Sequence, residues 1–192
     1  MKKGIVRLIA LLMLLAAFVG ALGSCGMKDE YYVEMKVEDF GTIVLKLDTL
    51  AAPETVKNFV SLVKDKYYDG ATFHRIIENF MIQGGGKEGA PEIRPIKGEF
   101  AANGYENPLI HERGTISMAR ADDPDSATSQ FFICNADSPH LDGYYAAFGY
   151  VISGMDVVDA ITEYGVQYTL GGIIYNQSLR PTIESVRLIS KP

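Results

Sequence analysis

Polar and apolar residues alternate from Tyr32 to Val37, again from Ile43 to Leu47 after Gly41, and once more from Ile183 to Ile189. Side chains of a strand point to opposite faces in turn, so each run reads as a half-buried β-strand. The first two, with Glu38-Asp39-Phe40-Gly41 between them, form a β-hairpin pattern. Shorter strand-like runs follow at Phe73–Ile77, Gly114–Ala119, Phe131–Ile133 and Ala147–Val151. Only two stretches carry a helical period. One starts at Pro53, places Val56, Phe59, Val60 and Val63 on one face, and closes at Tyr67–Gly70. The other spans Met155–Tyr164, with Val157, Val158 and Ile161 inward and Gly165 as its stop. Six or more short strands with two helices favour a mainly β fold, a closed antiparallel barrel rather than alternating βαβ units. The alternating first and last strands are expected to pair and seal it. Residues 84–108, rich in Gly and broken by Pro91, Pro95 and Pro108, read as long ordered loops of the kind that often carry function.

One segment stands outside this pattern. Between Arg7 and Lys28 lie twenty residues without a charge, after a start that carries Lys2, Lys3 and Arg7. A cationic start followed by the apolar run Leu8–Leu22 fits a secretory signal, and an internal helix of that length would show a polar face. The ending Leu22-Gly23-Ser24-Cys25 resembles a bacterial lipobox. That resemblance implies cleavage before Cys25 and a lipid on its sulfur. Each methylene buried in the bilayer contributes about 0.8 kcal/mol, so two acyl chains would hold the protein firmly. An uncleaved transmembrane span and an ordinary signal peptide are the alternatives. All three place the domain outside the cytoplasm. The expected division is a signal at 1–24, a lipidated cysteine and tether at 25–32, and one domain at 33–192. The expected location is extracytoplasmic, lipid-anchored to a bacterial membrane.

Charge narrows the partners. Residues 1–24 hold three of the chain's 18 Lys and Arg and none of its 24 Asp and Glu. The remaining 168 residues therefore carry a formal charge of −9, against −6 for the whole chain of 192. So acidic a domain is a poor match for nucleic acid, which needs a positive surface. With Cys25 used for lipid, Cys134 is the one thiol left, in the apolar run Phe131-Phe132-Ile133-Cys134, and reads as a small core residue.

Three clusters can carry chemistry. The densest runs from Phe73-His74-Arg75-Ile76-Ile77 through Phe80-Met81-Ile82-Gln83-Gly84-Gly85. Strand geometry would put Phe73 and Arg75 on one face and His74 and Ile76 on the other. A cation and an aromatic ring beside a Gly-Gly turn make a plausible pocket, with a structural ion pair for Arg75 as the plain alternative. The second cluster is Ile116-Ser117-Met118-Ala119-Arg120, then the polar loop Asp122–Ser129, then Gln130-Phe131-Phe132-Ile133. The third is Leu141-Asp142-Gly143-Tyr144-Tyr145 with Phe148-Gly149.

In this order and spacing the three clusters resemble the cyclophilin family of peptidyl-prolyl cis-trans isomerases, over about residues 33–190. The resemblance implies a closed eight-stranded antiparallel β-barrel capped by two α-helices. It implies acceleration of rotation about X-Pro bonds, with Arg75 as the catalytic arginine beside Gln83 and Phe80. It implies peptide contacts from Phe73, His74, Met81, Ala119, Arg120, Gln130, Phe132, His140, Leu141 and Tyr145. His74 is expected to order structure rather than move protons. The expected partners are proline-containing unfolded or exposed segments of exported polypeptides, with no cofactor and no metal, and a monomer is expected. A cyclophilin-like peptide-binding module or chaperone with little catalysis is the alternative.

This chain departs from the family pattern in places. It has no Trp, and His140 stands where many relatives have one before Leu-Asp-Gly, which implies weak cyclosporin binding. Arg120 stands where well-known eukaryotic members have Asn, at a position that meets peptide through its backbone. Tyr145 stands where a His is common. His74, His111 and His140 are the only histidines and fit no metal-ligand spacing. Ser117 with His74 and an Asp would suggest a hydrolase, but no Gly-x-Ser-x-Gly elbow accompanies them. Gly84-Gly85-Gly86 lacks the Lys and Ser/Thr of a phosphate loop. The adjacent tyrosine pairs read as barrel edge and rim.

Overall fold

The computed structural model describes residues 28–192. The expected signal segment, Cys25 and the start of the tether lie outside the described residues. In chain order the elements are β1 (Glu30–Val37), β2 (Gly41–Asp48), α1 (Pro53–Lys64), β3 (Thr72–Ile77), β4 (Met81–Gly86), β5 (Thr115–Met118), β6 (Phe131–Cys134), β7 (Ala147–Ser153), α2 (Met155–Val166) and β8 (Ile183–Ile189). β1 thus begins inside the stretch read as tether. The hairpin forms as the alternation requires, with Val33, Met35, Ile43, Leu45 and Leu47 fully buried. Its turn uses positive φ at Asp39 and Gly41.

All eight strands join one antiparallel sheet in the order β3-β4-β6-β5-β7-β2-β1-β8. The expectation of a closed barrel is not met: the sheet is curled and half-open. β1 and β8 do pair, from Tyr32↔Ile189 to Val37↔Ile183, but that ladder lies within the sheet and does not seal it. The outer edges are β3 and β8, which meet only at the single bridge Thr72↔Thr182 and a few flanking main-chain bonds such as Phe73 N–H to Pro181 O at 2.9 Å. Two causes are local. Pro181 has no N–H with which to extend β8 backwards. The β3 edge beyond it is taken by the loop after α2, where Ile76 donates to Gly172 O at 2.7 Å and Ile174 donates to His74 O at 2.9 Å.

The main core fills the inside of the curl, with Phe59 of α1 packed against Tyr68, Phe131 and Phe148 at centroid distances of 5.0, 5.7 and 5.2 Å. α1 packs on β2 and β8, and α2 on β2, β3 and β4. Gly165 does not end α2. The helix continues to Val166, and a Cβ at Gly165 would run into Ile76 Cδ1 of β3. It is a packing glycine that lets the helix approach the strand.

α1 lacks a side-chain cap at Ala52. Its first free N–H groups are met from far along the chain by Glu99, 3% exposed, whose carboxylate accepts from Glu54 N–H at 3.0 Å, Thr55 N–H at 2.8 Å and Thr55 Oγ1 at 2.7 Å. A negative group at a helix N-terminus is favoured by both the unpaired donors and the helix dipole. The contact pins the long loop between β4 and β5, which carries Phe100 and His111 toward the back of the site. Glu99→Ala would leave these donors buried without an acceptor. It should lower the unfolding free energy in urea by about 1–3 kcal/mol, and an unchanged denaturation midpoint would contradict the assignment.

Candidate active site

The register of β3 against β4 decides where Arg75 points. Phe73 faces Gly84 and Arg75 faces Gln83, so two steps along β3 match one step along β4 and His74 is an extra, bulged residue. Phe73 and Arg75 therefore take opposite faces, contrary to the strict alternation expected from the sequence. Phe73 and Ile76 are both fully buried in the main core. Arg75 turns to the outer face. A second slip at Gly85, which has φ +83° and would drive a Cβ to 2.7 Å from the Phe131 ring, restores the pairing beyond it.

On that outer face lies a second apolar cluster, separate from the main core. It consists of Met81, Phe132, Cys134 and Leu141, with Ile77, Phe80, Ala119 and Tyr145 packed against it. Arg75, Phe80, Met81, Gln83, Ala119, Arg120, Phe132, Leu141 and Tyr145 line one depression there of about 380 Å³, open to solvent. The enclosed part, about 90 Å³, lies below the usual range for ligand sites and suits a single side chain rather than a large cofactor. Phe132 forms the base, with the Tyr145 ring edge-on to it at 5.8 Å.

Arg75 is held from within the site. Its Nη1 donates to Gln83 Oε1 at 3.2 Å, and Gln83 Nε2 donates in turn to Gln130 Oε1 at 3.0 Å. The relay fixes the Gln83 amide and leaves the rest of the guanidinium facing the depression, 6.0 Å from the Phe80 ring centre. Among the described residues no carboxylate forms an ion pair with Arg75, so the salt-bridge alternative does not hold.

The other residues singled out from the sequence divide clearly. Gln130 stands behind Gln83 rather than in the depression. His140 is exposed at the rim, its ring 5.3 Å from Phe80. Phe73 is core, as the bulge requires. His74 is half-buried away from the depression, with its pKa pushed below the ordinary value by burial and by the Arg180 and Arg75 cations. Cys134 is buried within the cluster, and burial pushes its thiol up to about 12, so it is no nucleophile.

Sequence reading missed His111. Its Nδ1 lies 2.8 Å from Asp142 Oδ1 and its Nε2 lies 3.0 Å from Ser117 Oγ. This Ser-His-Asp arrangement has the connectivity of a hydrolytic triad, with a different histidine from the one considered. Ser117 is fully buried and His111 is 2% exposed, so no substrate reaches the hydroxyl. Its role is structural: the imidazole stacks on Phe132 at 5.9 Å and 17°, bracing the base of the depression from behind. No sequence motif links His111 to Ser117 and Asp142, and only the folded loop brings them together.

Among the described residues the site is thus a depression of side-chain size with apolar residues at its base, Arg75 tied to Gln83 at its lip, and the nearby Ser117 and Cys134 both buried out of reach. The model of the cyclophilin type peptidyl-prolyl cis-trans isomerase family matches residues 32–186, and the chain belongs to that family. It is 52% identical over 141 residues to a peptidyl-prolyl cis-trans isomerase of Acinetobacter baylyi, covering 68% of this chain and 71% of that one. It is 45% identical over 161 residues to peptidyl-prolyl cis-trans isomerase A of Dickeya dadantii, covering 79% and 81%. The crystal structure of a cyclophilin type isomerase from Cryptosporidium parvum aligns with TM-score 0.72 at 27% identity, over 85% of this chain and 99% of that one. A second structure of it, in the presence of the dipeptide Ala-Pro, aligns with TM-score 0.71. The protein is an enzyme, a peptidyl-prolyl cis-trans isomerase acting on X-Pro bonds.

Burial lowers the pKa of His111 as well as that of His74, and at His111 the Asp142 partner opposes the shift without reversing it. Below the ordinary value of 6.5 the unfolded chain therefore binds protons that the folded one refuses, so both groups make stability fall as pH falls through that window. In NMR titrations both rings should be more than half neutral at pH 6.5. Half-protonation of either there would contradict the environments described.

Proposed function

We propose that Arg75 is the catalytic residue and that the depression beside it receives the proline ring. The observation that carries this reading is the guanidinium tied to Gln83 over a hollow with apolar side chains at its base, with no carboxylate among the described residues paired to it. Resonance in the peptide bond sets a rotation barrier of about 18–20 kcal/mol, while cis and trans X-Pro forms differ by only about 0.5–1 kcal/mol. The obstacle is kinetic, and no bond is made or broken. With the ring held between Phe80, Met81, Phe132, Leu141 and Tyr145, an Arg75 N–H directed at the proline nitrogen favours the twisted state, in which the lone pair is localised there. A donor fixed in advance stabilises that state more than the planar ground state, which is what lowers a barrier. Gln83 and Gln130 keep Arg75 in place, and the main chain at Ala119 and Arg120 offers edges to the peptide.

The substrates we propose are exported polypeptides with accessible X-Pro bonds, whose uncatalysed isomerisation takes tens to hundreds of seconds. The support is the lipobox-like Leu22–Cys25 after a cationic, apolar leader. On this reading the domain is tethered through lipid at Cys25 and works outside the cytoplasm as a monomer. Among the described residues no helix is long and apolar enough to cross a membrane. His140 in place of a tryptophan at the rim supports weak cyclosporin binding.

Assay of the full-length protein on an Ala-Pro peptide tests the mechanism. Arg75→Ala should lower kcat by about a hundred- to a thousandfold, the cost typical of losing one preorganised donor. Full activity in that variant would overturn the assignment, and an inactive parent would leave a peptide-binding module. In the same assay, inhibition by low nanomolar cyclosporin would refute the weak-binding reading. Mass spectrometry of the membrane-extracted protein should find a lipidated Cys25 at the amino terminus, and an unmodified Met1 would reject the anchor.

A further inference from the structure

We propose that Arg120 is a positioning residue that buckles Tyr145 into place as the outer wall of the pocket, and through that wall sets how tightly the ring is bound. The proposal rests on the reading of the depression as a proline pocket.

The donors of Arg120 are already spent. Nε and Nη2 donate to Tyr144 O at 3.3 and 3.1 Å, while Nη1 donates to Ala121 O at 2.9 Å and Asp122 O at 3.3 Å. Four of the five guanidinium N–H groups therefore bind backbone carbonyls, and one is left. A side chain so engaged does not act as the peptide's partner. Its charged centre lies 4.7 Å from the Tyr145 ring and 5.2 Å from the Phe100 ring.

These contacts join three segments outside the strands, two of them flanking the paired β5 and β7. Phe100, 2% exposed, belongs to the long loop that Glu99 ties to α1, so it is a fixed point. Ala121 and Asp122 follow β5. Tyr144 and Tyr145 belong to the turn before β7, where both N–H groups donate back to Leu141 O at 3.0 and 3.2 Å. Tyr144 is 57% exposed, and the Tyr145 ring, edge-on to Phe132, packs at the margin of the second cluster. Arg120 adds a further tie, gripping the Tyr144 carbonyl with two donors and lying over the ring of the next residue. The task uses the planar fork of arginine, and a lysine would bring a point charge without it.

The wall touches the proline ring in the planar and twisted states alike. Loosening it removes binding common to both, which raises KM and leaves kcat in place. In NMR exchange measurements on the full-length protein with an Ala-Pro peptide, Arg120→Ala should raise KM about three- to thirtyfold, the range of one cation–π contact. Arg120→Lys, which loses the fork on the Tyr144 carbonyl, should raise it about threefold or more, with kcat within about twofold in both. Tyr145→Ala should raise KM similarly, and adding Arg120→Ala to it should change little more, because the arginine acts through the tyrosine. Unchanged KM in Arg120→Ala, full rescue by lysine, or additive effects in the double variant would each overturn the proposal. If Arg120→Ala does not fold, the same cycle run with Arg120→Lys decides it. Failure of the pocket reading looks different, since full activity in Arg75→Ala overturns that reading whatever Arg120 does.

Discussion

The strands beneath the site are buried on both faces, and the rest of the arrangement depends on that. All four residues of β6 are buried, with Phe131 and Ile133 turned into the main core and Phe132 and Cys134 turned outward into the second cluster. β4 behaves alike, sending Ile82 inward and Met81 outward. A strand clamped from behind by packed aromatic side chains cannot shift when something presses on its front, because protein interiors are dense and resist compression. The pocket base is therefore the outer surface of the core. It is braced once more at Phe132 by the imidazole of His111, held in turn by Asp142 and Ser117.

Rigidity matters here because the reaction supplies so little else to work with. On the proposed mechanism no proton or group is transferred, and the barrier falls as far as fixed dipoles prefer the twisted peptide to the planar one. A mobile arginine would reorganise around either state and discriminate less. The relay Arg75–Gln83–Gln130 uses two neutral amides where a carboxylate would have been the stronger anchor. A carboxylate would also have drawn the positive charge away from the peptide. Neutral partners fix the direction of the guanidinium and leave its charge available.

Much of this was legible in the residues. Alternation marked β1, β2 and β8, helical spacing marked both helices, and the apolar residues flanking Arg75 and Gln83 foretold the pocket. What escaped depends on contacts between distant segments. Phe131–Cys134 is a continuous apolar run, so no alternation reveals which side chains face out. The bulge at His74 inverts the faces of Phe73 and Arg75, and a period of two cannot register an inserted residue. Gly165 looked like a helix stop, and only the crossing of α2 over Ile76 shows it to be a close contact. Arg120 is read from the sequence as meeting the peptide through its backbone, and nothing in the sequence shows that its side-chain donors bind the carbonyls of Tyr144, Ala121 and Asp122.

The half-open sheet bears on the site more directly than a closed barrel would. In a sealed barrel the strand carrying Arg75 would be held by a regular ladder on each side, and a bulge would have to be accommodated by both. Here β4 provides one ladder, while the other edge of β3 is met by irregular chain from Gly172, Ile174 and Pro181. Irregular chain can match the extra residue at His74 bond by bond, as the His74 carbonyl accepting from Ile174 N–H illustrates. The β3 edge is thus covered, which protects it from pairing with other chains, and the bulge that turns Arg75 outward keeps its main-chain partners. Covered by this irregular chain, β3 turns Arg75 off the face that strict alternation assigns to it while its backbone keeps its partners.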